Sequence, residues 1–229
     1  MTEVQFQPIE APERLADVVY DAIRQSITDK TLAPGARVTE SGIAEQLGVS
    51  KTPVREALLR LRRIGVIEPD GVRGGRVVRP SRSAIREAYE VREALEVFAV
   101  RSVAERVSGT DLDRISDAAS LSLKRAEQGD HPGFRECDFA FHRAIAEAAA
   151  NPRLKELIED VFTLIGTLRQ RDLPNSRWPV ECARSHVRIA DAIARRDVSE
   201  AETAARKHIR QVEAWVLAEP RLPVDHGQR

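Results

Sequence analysis

Four residues in the second half of the chain have types and spacing suited to holding a metal ion: Asp138, His142, His186 and His208. At about 100° per residue on a helix, Asp138 and His142 fall one turn apart, beside Phe134, Phe141, Ile145 and Ala149. His186 shares an apolar arc with Cys182, Ile189, Ala190 and Ile193, and His208 with Ala201, Ala204, Ala205, Val212 and Trp215. A carboxylate and three imidazoles thus face a bundle interior from three helices. A single inward histidine is most often a core residue bonded to a backbone carbonyl. Four buried polar groups without partners, however, cost roughly 1–3 kcal/mol each, and one shared cation removes that cost. Neutral imidazole with carboxylate suits zinc first, then nickel or another divalent transition metal. Spacing alone does not show that the three helices converge.

Two neighbours bear on this chemistry. Arg92 lies on the inward face of its helix with Ile85, Ala88, Tyr89, Leu95 and Ala99, and Glu96 follows one turn later. Arg92 either knits the helices through an internal pair with Glu96 or caps a small-molecule carboxylate by charge-assisted hydrogen bonds. Cys182 reads first as a small core residue and second as a soft ligand.

A second constellation sits near the N-terminus. Ile43, Ala44, Leu47, Val49, Val54, Ala57, Leu58 and Leu61 would pack two short helices together. The second helix then presents Lys51, Thr52, Arg55 and, further along, Arg62 outward, as a helix-turn-helix presents its reading residues to base edges. From Lys51 to Arg79 there are eight bases and three acids, a local surplus on a chain whose net charge is zero. Distant acids are screened beyond about 8 Å, so such a surface still engages phosphates.

The elements that position these residues are mostly helical. Arg14 to Asp29 is an amphipathic helix, Glu40 to Leu47 a short one closed by Gly48, and a third, capped by Ser50 or Thr52, carries Pro53 in its first turn and ends at Gly65. Val66-Ile67-Glu68 and Arg76-Val77-Val78 flank a glycine-rich tip and predict a β-hairpin, whose Arg73-Gly74-Gly75 would approach a minor groove. After Ser81 the pattern predicts six helices, at about 83–107, 111–128, 132–149, 152–171, 179–196 and 198–218, forming an antiparallel bundle. The expected fold is mainly α: a winged helix-turn-helix DNA-binding domain over 1–80 and an all-α effector-binding and dimerisation domain over 81–229.

With 42% hydrophobic and 31% charged residues the composition is globular. Two cysteines are too few for a disulfide scaffold. The polar, acidic segment from Met1 to Pro12 does not read as a signal peptide, and no apolar run approaches the roughly 20 residues that span a bilayer. These features predict a cytoplasmic protein without a membrane partner.

The run Leu32-Ala33-Pro34-Gly35-Ala36-Arg37-Val38-Thr39-Glu40, followed by Ile43-Ala44-Glu45-Gln46-Leu47-Gly48-Val49-Ser50-Lys51-Thr52-Pro53-Val54-Arg55-Glu56-Ala57-Leu58, resembles the winged-helix domain of the GntR family of bacterial regulators. That resemblance implies DNA contacts from Lys51, Thr52, Arg55 and the Arg73-Gly74 wing. The family more often has arginine at the position of Lys51, and exchanging arginine for lysine is not conservative at a bidentate contact. Asp138-Phe139-Ala140-Phe141-His142, then His186, then Ala205-Arg206-Lys207-His208, is similar to the metal-binding pattern of the FCD effector domain of the FadR subfamily. It implies open coordination positions that take small organic or sugar acids, with an arginine near the place of Arg92. Six effector helices rather than seven match the shorter, VanR-like branch.

The reading that follows is a ligand-responsive transcriptional repressor, not an enzyme. It is expected to work as a homodimer on a double-stranded operator, with a carboxylate effector at the metal. Two alternatives stand beside it: a constitutive DNA-binding regulator with a structural metal, and a metal-dependent hydrolase, against which no spare general base stands out.

Overall fold

The computed structural model describes residues 14–71, 74–106, 109–169 and 178–218. The chain divides into two compact units, Met1–Arg79 and Pro80–Arg229.

In the first unit, α1 (Leu15–Thr28) buries Val19, Tyr20, Ile23 and Ile27 at helical spacing and packs on α3 (Lys51–Arg63). Between them, α2 (Glu40–Leu47) begins at Thr39, whose hydroxyl accepts the Gly42 N–H at 3.1 Å. It stops at Gly48, whose φ of 65° is a left-handed cap that costs glycine little. Val54, Ala57, Leu58 and Leu61 seal α3 against its neighbours. Leu47, expected to pack inward, is exposed at the last residue of α2.

The β structure differs from the expected hairpin. Strands β1 (Arg37–Thr39), β2 (Ile67–Pro69) and β3 (Gly74–Val77) form an antiparallel sheet in the order β1-β3-β2. β3 is therefore central, with Val38 opposite Gly75 on one side and Pro69 opposite Gly75 on the other. The added strand satisfies the backbone edge that a bare hairpin would leave open and buries Val38. This placement also accounts for the glycine pair. A Cβ at Gly74 would meet the Val38 carbonyl oxygen at 2.7 Å, and one at Gly75 the Glu68 carbonyl oxygen at 2.8 Å.

The second unit consists of α4 (Arg82–Arg106), α5 (Thr110–Glu127), α6 (His131–Ala148), α7 (Pro152–Leu168), α8 (Trp178–Ala194) and α9 (Val198–Leu217). Asp130, Asn151 and Asp197 cap α6, α7 and α9 by accepting backbone N–H groups, and proline follows in the first turn of α6 and α7. Helix α4 packs on α6, α7 and α9, α5 on α6 and α8, and α8 on α9. The six helices thus share one core, lined by Tyr89, Ile115, Phe134, Phe141, Ile158 and Ile189. Among the described residues no helix is long and apolar enough to cross a membrane.

Glu147, near the end of α6, ties three helices together. It receives Arg114 of α5 at 2.5 Å, Arg143 at 3.0 Å and Lys155 of α7 at 3.1 Å. Partial burial alone would raise its pKa, but bonds from Arg114, Lys155 and Arg143 outweigh burial and lower it from 4.5 to about 2. Its contribution to stability is accordingly complete above the unfolded value and is lost as pH falls toward 2. Glu147→Gln is expected to cost on the order of 1 kcal/mol at neutral pH. In urea titrations the gap to the parent should close between pH 5 and pH 2, and a gap independent of pH would refute the ionic account.

Candidate functional site

The helical core holds an unusual concentration of polar side chains. Asp138 and His142 come from α6, Cys182 and His186 from α8, His208 from α9, and Arg92 and Glu96 from α4. His142, His186 and His208 are 3%, 0% and 2% exposed, so these groups interact with little help from water. One ligand atom from each of the three histidines lies within 4.8 Å of the others. Asp138, Cys182 and His186 form a second such group, with His186 common to both. The helices whose convergence spacing left open do converge. Asp138 Oδ1 stands 3.4 Å from His186 Nε2 and 4.0 Å from His142 Nε2.

Polar contacts on the far sides of the rings flank two imidazoles. His142 Nδ1 lies 2.5 Å from Glu96 Oε2, and its Nε2 lies 3.0 Å from Arg92 Nη2 and 4.0 Å from Asp138 Oδ1. His186 Nδ1 meets Ser122 Oγ at 3.1 Å, and Phe141 stacks on the same ring at 4.4 Å between centroids. Metal-binding histidines are commonly held in this way, by a carboxylate or a polar oxygen on the second nitrogen. Among the described residues His208 has no such support. Both of its ring nitrogens are buried without a hydrogen-bond partner, which leaves each with a desolvation cost of about 1–3 kcal/mol.

The electrostatics keep His186, His208 and Asp138 in ligating form. Burial, reinforced by His186 and His142, pushes His208 well below the usual imidazole value. Burial likewise lowers His186 to about 3 despite the attraction of Asp138. Burial works against ionisation of Asp138, but His142, His186 and Arg92 outweigh it and hold the carboxyl below its usual value. The Cys182 thiol is pushed well up by burial and by Asp138.

Arg92 makes the internal pair with Glu96, the first of the two geometries that the sequence left open. Its Nε bonds Glu96 Oε1 at 2.5 Å, making a buried pair, while Nη2 reaches His142 Nε2 at 3.0 Å. Its guanidinium also lies over the Phe162 ring, 4.5 Å from the centroid. Ser122 was not anticipated, although it occupies the apolar arc of α5 with Ile115, Ala119 and Ala126, a polar intruder that periodicity could have flagged. Arg169, just beyond α7, bonds Tyr89 Oη at 2.7 Å and has no comparable sequence signal.

In the first unit, Lys51, Thr52 and Arg55 are exposed on the opening turns of α3. Arg55 is paired there, with Nη2 3.0 Å and Nε 3.2 Å from the carboxylate of Glu40, a buried residue at the start of α2. Arg62 departs from expectation: instead of facing outward it is half-buried and donates through Nη2 to the carbonyl of Gly74 in β3. Its long stem lets it fold back onto the sheet and satisfy that carbonyl. Gly74 is likewise buried within the sheet rather than presented at a tip. Its lack of a side chain serves the contact with β1. Arg73 lies outside the described residues.

A reading helix with an exposed basic turn, followed in the chain by a ligand cluster enclosed in helices, defines a ligand-responsive transcriptional regulator with a candidate metal-binding site. Known proteins agree. Residues 15–77 match the family described as bacterial regulatory proteins, gntR family, and residues 87–211 match the FCD domain. The HTH-type transcriptional regulator LutR of Bacillus subtilis is 30% identical over 208 residues, covering 82% of this chain and 94% of LutR. The repressor RspR of Escherichia coli is 25% identical over 197 residues, 85% of either chain. The structure of E. coli McbR/YncC superposes with a TM-score of 0.75 at 25% identity, covering 90% of this chain and 98% of that one. A GntR-type chain from Rhodococcus sp. RHA1 gives 0.70 at 28% identity, covering 90% and 99%. This chain belongs to the GntR family of regulators and carries an FCD domain.

Proposed function

We propose that this regulator senses a small carboxylate at a divalent metal ion, zinc in the first instance, held by Asp138, His142, His186 and His208. The observation that carries this reading is His208, a fully enclosed imidazole with no partner at either nitrogen, set against two histidines and an ionised carboxylate. A cation would satisfy one of its nitrogens, and a donor set of three imidazoles and one carboxylate suits zinc or nickel. Such a metal would polarise an effector carboxylate, and the chain's own Arg92 would donate to it from α4. Lys51, Thr52 and Arg55 enter a major groove, with Arg73 and the wing beside Gly74 following the adjacent minor groove. Two copies read a palindromic operator as a homodimer, in the manner of the VanR-like branch of the FadR subfamily, acting in the cytoplasm as a repressor. Domain boundaries at 1–80 and 81–229 then separate reading from sensing.

The test uses the full chain with a duplex selected from random sequence. Zinc-loaded protein should change its duplex affinity when a screened organic acid is added, and chelated protein should not respond to the acid. Arg55→Ala should weaken duplex binding by about 10–100-fold, the worth of one good base contact. A chelated protein that unfolds would make the metal structural, and a duplex affinity indifferent to every acid would reject sensing.

A further inference from the structure

Cys182 is more than a core filler. Its Sγ contacts two members of the candidate metal cluster: Asp138 Oδ1 at 3.5 Å and His186 Nε2 at 3.7 Å. Zinc–sulfur bonds of about 2.3 Å and zinc–nitrogen bonds of about 2.0–2.1 Å, opened to a tetrahedral angle, set sulfur and nitrogen roughly 3.6 Å apart. The observed separations match that spacing, and Asp138, Cys182 and His186 offer ligand atoms that all lie within 4.8 Å of one another. Cys182 and His186 lie one turn apart on α8 and are 1% and 0% exposed, so neither has room to swing out to solvent. An independent sign that a ligand belongs here is the neighbouring His208 ring, 4.8 Å from His186 between centroids and without a partner.

We infer that Cys182 is a thiolate ligand of the bound metal, which makes this a mixed nitrogen, oxygen and sulfur site selective for thiophilic divalent ions. The inference rests on the metal reading above and adds to it. Binding exchanges the thiol proton for the cation: the S–H bond breaks, a sulfur–metal bond forms, and the proton passes to solvent. No oxidant or reductant is involved. Sulfur ligation favours zinc, cadmium and cobalt over manganese and magnesium, which prefer oxygen. It also occupies one coordination position that water or an effector would otherwise take.

The full chain loaded with Co²⁺ reports on this directly. Histidine-bound cobalt gives visible d–d bands, and a cobalt–thiolate bond adds a near-ultraviolet charge-transfer band. The parent and Cys137→Ala should show both signals, whereas Cys182→Ser should keep the visible bands, lose the ultraviolet one and bind zinc about 10-fold or more weakly relative to manganese. Cd²⁺ added to the unsubstituted protein should produce a sulfur charge-transfer band as well, so the answer does not depend on a variant folding. Visible bands without the ultraviolet band in the parent, or persistence of that band in Cys182→Ser, would overturn sulfur ligation alone. Absence of any cobalt spectrum would overturn the metal reading and this inference together.

Discussion

Arg92→Ala is expected to destabilise the helical unit by about 3–5 kcal/mol, the cost of removing one member of a buried ion pair. Arg92 and Glu96 are 2% and 5% exposed, and the guanidinium touches the carboxylate directly. Burial opposes ionisation of Glu96, yet Arg92 and then His142 overcome it and hold the carboxyl at about 2. Without Arg92 the carboxylate must stay charged and poorly compensated, or take up a proton at a cost. Glu96→Gln in the same background should restore part of the loss, because it removes the stranded charge. The pH dependence carries a definite sign: a depressed carboxyl stabilises the fold above its unfolded pKa of 4.5, and that support fades as pH falls toward 2. Urea unfolding of the single and double variants measures all of this. A loss below about 1 kcal/mol, with no rescue, would mean that the pair contributes nothing net to the fold.

His186→Ala is expected to abolish tight metal binding, with affinity falling at least about 100-fold, the upper end of what losing even a supporting partner costs. His186 is the member common to both groups of potential ligands. Its removal therefore takes a donor from every arrangement these side chains can offer, including any that uses Cys182. It also deprives Phe141 of its stacking partner and Ser122 of its hydrogen bond. Metal content after dialysis against a competing chelator, with circular dichroism to verify the helices, gives the answer. Parental stoichiometry in a folded variant would remove His186 from the site.

Much of this arrangement was legible in the sequence because it is written in short-range signals. The caps at Asn151 and Asp197, the left-handed Gly48 and the 3.6-residue apolar period each act within a turn or two, so reading them requires no knowledge of the fold. The inward placement of His142, His186 and His208 followed from that period alone. Three things did not. Strand β1 spans three residues, Arg37–Thr39, too few to show an alternation, and exists only because β3 offers it an edge. Arg62 has the composition of a solvent-facing base, and its turn toward Gly74 depends on where the sheet lies. The support of His186 by Ser122 joins residues 64 positions apart on different helices, a relation that only packing creates. Convergence is a property of the assembled bundle, whereas facing inward is a property of each helix by itself.

The Arg62 contact has a mechanical meaning beyond its hydrogen bond. By fastening the last turn of α3 to the middle strand, it couples the helix to the sheet before any duplex arrives. A link already made in the free protein leaves less freedom to be surrendered on binding.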